Sequence, residues 1–470
     1  MVFSSAIFLF LFLPIVFILY YISPKKLRNT IMFLASLLFY AWGEPIYIFI
    51  MLFSTAFDYE NGRLIEKFRK QKKEKRCKVI LILSIAVNLG LLMFFKYTDF
   101  FVGNINGLFG LSIDSPGFTL PIGISFYTFQ TLSYTIDVYR GVVNAQHNII
   151  NFGMYVSMFP QLIAGPIVRY SDIKSQVDSR DENVDEIAAG IRRFIVGLGK
   201  KIIIANQIGI LWKEIESMTS LSTSLAWIGA IAFTLQIYFD FSGYSDMAIG
   251  LGHMFGFTIS ENFKHPYESR SITEFWRKWH ITLGTWFREY VYIPLGGNKN
   301  GTKRQIINLF IVWFLTGFWH GAGWNFVLWG VYYSFILMIE KVFLLKLMHR
   351  WPKLLRHFYT LLVIIIGWVI FACTDMNDMF RFLRAMVGLG EGFLGGMSEY
   401  YMISYGILFV IAGILTTSVP IKLVRRFLPK MNLNNNVEVI IKNCLCIFVL
   451  IVSIAFLVGD SYNPFLYFRF

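Results

Sequence analysis

The chain has 470 residues, of which 56% are hydrophobic and 18% aromatic, while only 15% are charged. Soluble domains carry about 25% charged residues, so this composition excludes an ordinary soluble protein and predicts an integral membrane protein. The formal net charge of +14 does not indicate nucleic-acid binding, because the basic residues cluster beside apolar segments, as the positive-inside rule describes. We therefore expect an all-α, multi-pass protein whose partner is the lipid bilayer, with no nucleic acid bound.

The N-terminal part of the chain alternates apolar runs with basic segments. Residues 1–22 are apolar and lead directly into the basic segment 25–28. They lack the basic start and the small-residue cleavage site of a signal peptide, so we expect a retained first helix. Residues 63–78 contain nine Lys or Arg against two Glu, which indicates a cytoplasmic segment. Residues 30–57 must therefore cross outward and back, or enter the membrane and return, with a turn at 42–45.

The middle of the chain contains apolar stretches that Pro and Gly interrupt, at 121–140 and 152–165. Interrupted spans are tolerated only where protein or a water-filled cavity covers them. Residues 187–210 combine four Lys or Arg with an apolar face, which predicts a helix lying at the cytoplasmic interface. Residues 262–298, here called the aromatic block, are too charged to span lipid and too aromatic for a free loop. We expect the aromatic block to line a cavity.

The C-terminal third gives a topology by counting spans. Basic segments at 346–356 and 422–430 indicate cytoplasmic loops, while 375–400 carries more acids than Arg and should lie outside. The helix predicted at 439–459 then ends outside. This counting places residues 460–470, the C-terminal segment, on the outer face of the membrane.

His320 stands between tryptophan and glycine residues in the sequence GFWHGAGW, inside an apolar region. An ionisable side chain at membrane depth is costly unless it faces the protein interior or a water-filled path, so it indicates a functional site by default. Histidine has an unperturbed pKa of about 6.5, and a neutral imidazole can act as a general base. The residue alone leaves a second reading open, a hydrogen bond to a neighbouring helix.

The aromatic block combines cation, acid, imidazole and indole side chains within fourteen residues. His280 lies there, forty residues before His320, and is suited to positioning a thioester or the base. The candidate substrate-binding residues are Trp276, Trp279, Arg288, Glu289 and, from the sequence YFDFSGYSD, Asp240. The aromatic residues could instead form an interfacial belt. Asp240 and Asp246 could orient a histidine or form a structural hydrogen bond between helices.

Six separated motifs resemble those of the membrane-bound O-acyltransferase superfamily, in the same order and over almost the whole chain. More narrowly, they are similar to its alginate O-acetyltransferase branch. The motifs are MVFSS at 1–5, PIGISFYTFQTLSY at 121–134, FPQLIAGPI at 159–167, YFDFSGYSDMAIG at 238–250, WRKWHITLGTWFREYVYIPLGGN at 276–298 and TGFWHGAGW at 316–324.

The resemblance implies a helical membrane domain around a central funnel, with about eleven spans plus re-entrant or interfacial helices. A single domain would cover 1–470, with N-terminal helices at 1–230, a catalytic core at 231–345 and C-terminal helices at 346–459. His320 matches the family's catalytic histidine and His280 its second polar position. Acyl transfer from a thioester to a hydroxyl needs a base and donors for the developing oxyanion. Backbone amides near the glycines or the His280 ring could supply those donors, and the sequence leaves both open.

The C-terminal segment ends in the sequence PFLYFRF, which is unusually aromatic because chain ends are normally polar. It resembles a tail of the teichoic-acid D-alanylation system that is believed to receive the acyl group on a tyrosine, which makes Tyr467 a candidate acyl relay. A phenol, with a pKa of about 10, leaves more readily than a sugar alcohol. The other reading is an interfacial aromatic anchor.

Together these features predict a membrane O-acyltransferase that moves an acyl group, most simply acetyl from acetyl-CoA, across the plasma (inner) membrane. The acceptor would be a cell-envelope or secreted polysaccharide, and a separate extracytoplasmic serine acyltransferase would complete the transfer. We expect neither a resident cofactor nor a metal site. Two alternatives remain: D-alanyl transfer to teichoic acid from a carrier-protein thioester, and a non-catalytic transporter or flippase with His280 and His320 as a proton relay.

Overall fold

The computed structural model describes residues 1–427, 434–459, 465 and 466. Every regular element within those ranges is a helix. A helix satisfies its backbone hydrogen bonds internally, which is what a chain surrounded by lipid requires. The expectation of an all-α multi-pass membrane protein is confirmed.

Seven helices of the described residues are long and apolar enough to cross a bilayer. They are Glu74–Phe109, Val184–Glu216, Thr223–Met254, Trp324–Met348, Lys353–Ala372, Gly396–Leu415 and Val437–Gly459. About twenty helical residues suffice, because a rise of ~1.5 Å per residue then covers the ~30 Å hydrocarbon core. The expected number of about eleven spans also counts shorter helices and stays a prediction.

The chain divides into two units, of which the first comprises Met1–Phe194 and Ser245–Ser260. The turn expected at 42–45 lies between its second and third helices, and the basic segment 63–78 lies where the third helix gives way to the fourth. The helices that begin in this unit are α1 (Leu13–Ile22), α2 (Arg28–Ala41), α3 (Ile48–Lys70), α4 (Glu74–Phe109), α5 (Ile124–Arg140), α6 (Ile149–Ser157), α7 (Phe159–Leu162), α8 (Tyr170–Asp178) and α9 (Val184–Gly199).

Helix α5 of the first unit is buried along nearly its whole length, as expected for an interrupted span covered by protein. Gly123, which precedes it, has a φ of +77°, and a Cβ atom there would lie 2.7 Å from the carbonyl oxygen of Leu162. Glycine alone fits that turn. The buried Asp58 carboxylate beside α5 is paired: it accepts hydrogen bonds from Ser84 Oγ at 2.6 Å and from Asn88 Nδ2 at 2.7 Å.

The second unit comprises Ile195–Tyr244 and Glu261–Phe470. A π-helical stretch, Lys200–Asn206, joins α9 to α10 without a break. The remaining helices are α10 (Gln207–Glu216), α11 (Thr223–Met254, which belongs to this unit up to Tyr244), α12 (Ile272–Trp276), α13 (Ile281–Phe287), α14 (Gly301–His320), α15 (Trp324–Ile339), α16 (Leu345–Met348), α17 (Lys353–Ala372), α18 (Met376–Arg384), α19 (Gly396–Leu415), α20 (Val419–Phe427) and α21 (Asn435–Gly459).

Helices α14 and α15 form a close hairpin that carries His320 at its bend. Gly317 and Gly330 meet where the two backbones approach. A Cβ atom on Gly317 would clash with the carbonyl oxygen of Phe326, and one on Gly330 would clash with that of Trp313. Small residues permit such contact between membrane helices. Gly317 and Gly330 therefore allow α14, which carries His320, to pack directly against α15.

The interfacial position expected for residues 187–210 does not hold for Lys201. The continuous helix Val184–Glu216 is long enough to cross a membrane, and 72% of its apolar stretch is buried inside the protein. The Lys201 side chain is only 3% exposed, because its ammonium group pairs with Asp240 on α11. The sequence pattern placed this charge at the cytoplasmic interface, because a pattern along the chain does not show the Asp240 partner.

Candidate active site

A cavity of about 930 Å³ lies in the second unit and is lined by both histidines singled out from the sequence. Most of its wall comes from the aromatic block and from α14, so the expectation that this block lines a cavity is confirmed. Trp276, Trp279 and Arg288 also line it. The volume lies within the range of typical small-molecule sites, about 300–1,000 Å³.

His320 is the last residue of α14, and its side chain is buried. The Trp329 ring lies 5.1 Å from the imidazole centroid and the Phe371 ring 5.3 Å, both at an interplanar angle of 84°. Edge-to-face contacts of this kind are favourable and directional. The imidazole is thus held between two aromatic rings while it borders the cavity.

His280 has an unusual backbone conformation for a residue other than glycine, with φ 44° and ψ 53°, immediately before α13 begins. A left-handed conformation of this kind costs about 1–3 kcal/mol and persists only when surrounding contacts impose it. The contact here is with Asn262, whose carbonyl oxygen accepts a hydrogen bond from the Ile281 N–H at 3.0 Å. Such strain in a cavity wall is typical of functional residues.

The side chain of Asn262 determines which nitrogen of His280 carries the proton. Its Oδ1 atom accepts from the backbone N–H of Thr282 at 3.2 Å and lies 3.2 Å from Nδ1 of His280. Because a backbone N–H can only donate, this Asn262 atom is oxygen, and His280 Nδ1 must be the donor. His280 lies outside the seven candidate spans, and burial lowers its pKa to about 3. The ring is therefore neutral, and Nε2 is a hydrogen-bond acceptor.

This tautomer bears on the donors for an oxyanion, which the sequence left open. Nε2 of His280 has no hydrogen to donate, so the geometry favours other groups. The indole N–H groups of Trp276 and Trp329 are buried and have no hydrogen-bond partner among the described residues. Their rings lie 5.4 Å apart, Trp276 lines the cavity and Trp329 contacts His320. Leaving a buried donor unpaired costs about 1–3 kcal/mol, so a ligand oxygen that reaches these groups would be bound favourably. Trp276 borders the cavity, whereas Trp329 is not among its described lining residues.

The charged side chains among the described lining residues of the cavity are all basic. They are Arg277, Arg288, Lys299 and Lys341. Glu289, predicted as a substrate-binding candidate, is not among the described lining residues, and its Oε1 lies 3.8 Å from Nε of Arg288. A cavity wall of one sign attracts ligands of the opposite charge. The arrangement suits an anionic ligand.

Asp240 is not among the described lining residues either. Its Oδ1 pairs with Lys201, and its Oδ2 accepts the Leu466 N–H at 2.9 Å. Asp246 pairs with Arg193 at 2.9 Å. Of the two roles considered for these aspartates, the contacts favour bonds between helices over orienting a histidine. Tyr467 lies outside the described residues.

Three residues of the site, Asn262, Trp329 and Phe371, were not predicted from the sequence. Asn262 stands at the start of the aromatic block, but nothing in its immediate sequence distinguishes it from a loop asparagine. Trp329 could have been suspected once α14 and α15 were paired, because the glycine positions then bring it to His320. Phe371 belongs to α17, and no local signal connects that helix with His320.

A family model described as the membrane-bound O-acyltransferase family matches residues 46–380. The chain is 38% identical to a probable alginate O-acetylase of Pseudomonas putida, with 100% of each chain covered. It is 35% identical to a peptidoglycan O-acetyltransferase of Helicobacter pylori, covering 83% of this chain and 80% of that one. It is also 26% identical to a teichoic acid D-alanyltransferase of Bacillus subtilis, over 53% of this chain and 68% of the relative.

Proposed function

Because the chain belongs to the membrane-bound O-acyltransferase family, we propose that it transfers acetyl from a cytoplasmic thioester for O-acetylation of a cell-envelope or secreted polysaccharide. The observation that carries the proposal is one cavity lined by both His280 and His320. Acetyl is supported over D-alanyl because relatives named for O-acetyl transfer match more of the chain at higher identity. The polysaccharide is inferred from the acceptors named for those relatives.

His320 is the general base of the proposed reaction. It takes the proton from the acceptor hydroxyl as that oxygen attacks the thioester carbonyl, and the tetrahedral intermediate carries a negative oxygen. The indole N–H groups of Trp276 and Trp329 are suited to hold that oxygen. Collapse breaks the carbon–sulfur bond, and the thiolate receives the proton back from the imidazolium. His280 Nε2 accepts a hydrogen bond from substrate and fixes its position.

Acetyl-CoA is the proposed donor, as a substrate and not as a resident cofactor. Its phosphates complement the basic wall formed by Arg277, Arg288, Lys299 and Lys341. A neutral acetyl carrier would not be attracted electrostatically to these basic side chains. The D-alanyl alternative requires a carrier-protein thioester in the same position.

The proposed location is the plasma (inner) membrane, with the basic segments 63–78 and 422–430 in the cytoplasm and residues 460–470 outside. Tyr467 then receives acetyl from the donor, and a separate extracytoplasmic serine acyltransferase passes it to the polysaccharide. The transport alternative uses the same histidines as a proton relay and forms no acyl bond.

Thiol release from acetyl-CoA by the purified full-length protein in lipid tests the proposal. His320→Gln should lower the rate by about 10²-fold or more, the scale of general base catalysis. His357→Gln is a matched control, since His357 contacts the Ser269 carbonyl and is not among the described cavity residues. Near-normal release in a well-folded His320→Gln protein would contradict the assignment. Solute transport without any thiol release would favour the transporter.

A further inference from the structure

The two described residues of the C-terminal segment are buried in the second unit. The Phe465 ring packs edge-on against Tyr244, with centroids 4.7 Å apart. Lys201 Nζ lies 4.6 Å from the centroid of the same ring, in cation–π geometry. The backbone N–H of Leu466 donates to Asp240 Oδ2 at 2.9 Å. Side-chain and main-chain contacts thus hold consecutive residues at one place.

These contacts converge on a buried ion pair. The side chains of Lys201 and Asp240 are each 3% exposed. A buried pair recovers its desolvation cost only when further hydrogen bonds satisfy the remaining lone pairs and protons. Oδ1 of Asp240 accepts a hydrogen bond from Lys201, and Oδ2 accepts one from the backbone N–H of Leu466. The C-terminal segment therefore supplies a hydrogen bond to the second oxygen of Asp240.

The surrounding helices favour a site specialised for this purpose. Lys201 lies in the π-helical stretch between α9 and α10, and such stretches occur frequently at functional sites. A Cβ atom on Gly199 would lie 2.6 Å from Cγ1 of Val449, so α21 packs closely beside the same stretch. The last helix is thereby anchored next to the residues that receive Phe465 and Leu466.

We propose that the Lys201–Asp240 pair is a dock for the C-terminal segment, with both residues acting as positioning residues. The charge-assisted bond from Leu466 to Asp240 fixes the backbone one residue before Tyr467. The role of the dock in acyl transfer rests on the proposed function, in which Tyr467 is the relay. The existence of the dock does not depend on that role. If apolar burial of Phe465 alone held the segment, removing the charges of Lys201 and Asp240 would not loosen it. Removing the charges therefore separates docking on the ion pair from apolar burial.

Residue-resolved hydrogen exchange of the Leu466 amide in the purified full-length protein tests the dock. Lys201→Met with Asp240→Leu removes both charges at similar volume, which buried ion pairs often tolerate. Exchange at Leu466 should accelerate on the order of tenfold to a hundredfold, since hydrogen bonds to charged groups contribute about 1.5–3 kcal/mol. Arg193→Met with Asp246→Leu is the matched control, because it removes a different ion pair to α11, one that α9 makes through Arg193. It should leave Leu466 exchange unchanged.

Phe465→Ala provides a second variant that leaves Lys201 and Asp240 in place, in case the double variant does not fold. It removes the ring under Lys201 and against Tyr244, so Leu466 exchange should again rise. Unchanged exchange in a folded double variant overturns the dock, because apolar burial of Phe465 alone would then hold the segment. If the double variant does not fold, unchanged exchange in Phe465→Ala overturns it. Faster exchange with wild-type polysaccharide acetylation in cells supports the dock and overturns the relay role of the segment. Faster exchange with loss of acetylation supports both the dock and the relay role of the segment.

Discussion

Oδ1 of Asn262 accepts a hydrogen bond from Nδ1 of His280, 3.2 Å away and eighteen residues later in the chain. The same oxygen also accepts from the backbone and the hydroxyl of Thr282. Asn262 therefore fixes both the strained loop and the tautomer of the histidine. Nε2 of His280, which borders the cavity, is then the acceptor nitrogen of the ring.

Asn262 should act on catalysis only through His280. His280→Ala should lower acyl transfer through weaker donor binding, and Asn262→Ala should do the same by releasing the ring. In a double-mutant cycle the second substitution should add little, with a coupling of about 0.5–3 kcal/mol. Steady-state kinetics with acetyl-CoA measures both KM and kcat. Fully additive losses would remove Asn262 from this role.

The protonation state of His280 leads to a prediction about pH. Burial lowers the pKa of His280 to about 3, so the charged form is disfavoured and the ring is neutral throughout the range in which the enzyme would be assayed. His280→Asn should therefore leave the acid limb of the pH–rate profile where it is, although the rate falls. A displaced acid limb would mean that His280 titrates in the working range.

The indole N–H groups of Trp276 and Trp329 should contribute to kcat more than to KM. Replacing either residue with Phe keeps an aromatic ring and deletes the donor. Loss of one oxyanion donor typically lowers kcat by about 10²–10³-fold. Trp313→Phe is the control, because Trp313 lines the cavity beside Trp276 while its indole nitrogen is not among the buried unpaired donors. Equal small effects in all three variants would assign the indoles to packing alone.

Arg288 should assist donor binding by a modest, salt-dependent amount. Its side chain is 69% exposed, so solvent screens its charge. Exposed charge pairs contribute about 0.2–1 kcal/mol, and KM for acetyl-CoA should rise at most about fivefold in Arg288→Gln. Added salt should shrink the difference. Arg304→Gln, at a basic residue that donates to the Leu295 carbonyl and is not among the described lining residues, should leave KM unchanged.

Sequence reasoning predicted the helices and the cavity but not the contacts between distant residues. Hydrophobic runs and basic segments fix where helices lie, and the histidine motifs identify the cavity wall. The bond between Asn262 and His280 depends on an irregular loop with no periodic pattern. The contact between Asp240 and Leu466 joins residues 226 positions apart. Pairings of that kind follow from tertiary packing, which a pattern along one chain does not specify.

The topology prediction is that residues 63–78 face the cytoplasm and the C-terminal segment lies outside. It follows from the distribution of Lys and Arg and from the span count. In intact cells, a membrane-impermeant thiol reagent should label a cysteine introduced at Ser461 but not one at Lys72. Permeabilised cells should label both, which controls for expression. The reverse pattern would invert the proposed direction of acyl export.

Tyr467 is the proposed acyl carrier between the membrane site and the extracytoplasmic partner, and Tyr467→Phe isolates that role. A relay needs the phenol oxygen, whereas an interfacial anchor needs only the ring. Because Phe keeps the ring, the variant should insert normally and keep Leu466 protected from exchange, yet it should fail to acetylate polysaccharide in cells. Mass spectrometry of the wild-type C-terminal peptide should find an acetyl ester that the variant lacks. Wild-type acetylation in Tyr467→Phe would leave the sugar hydroxyl as the direct acceptor of acetyl at His320.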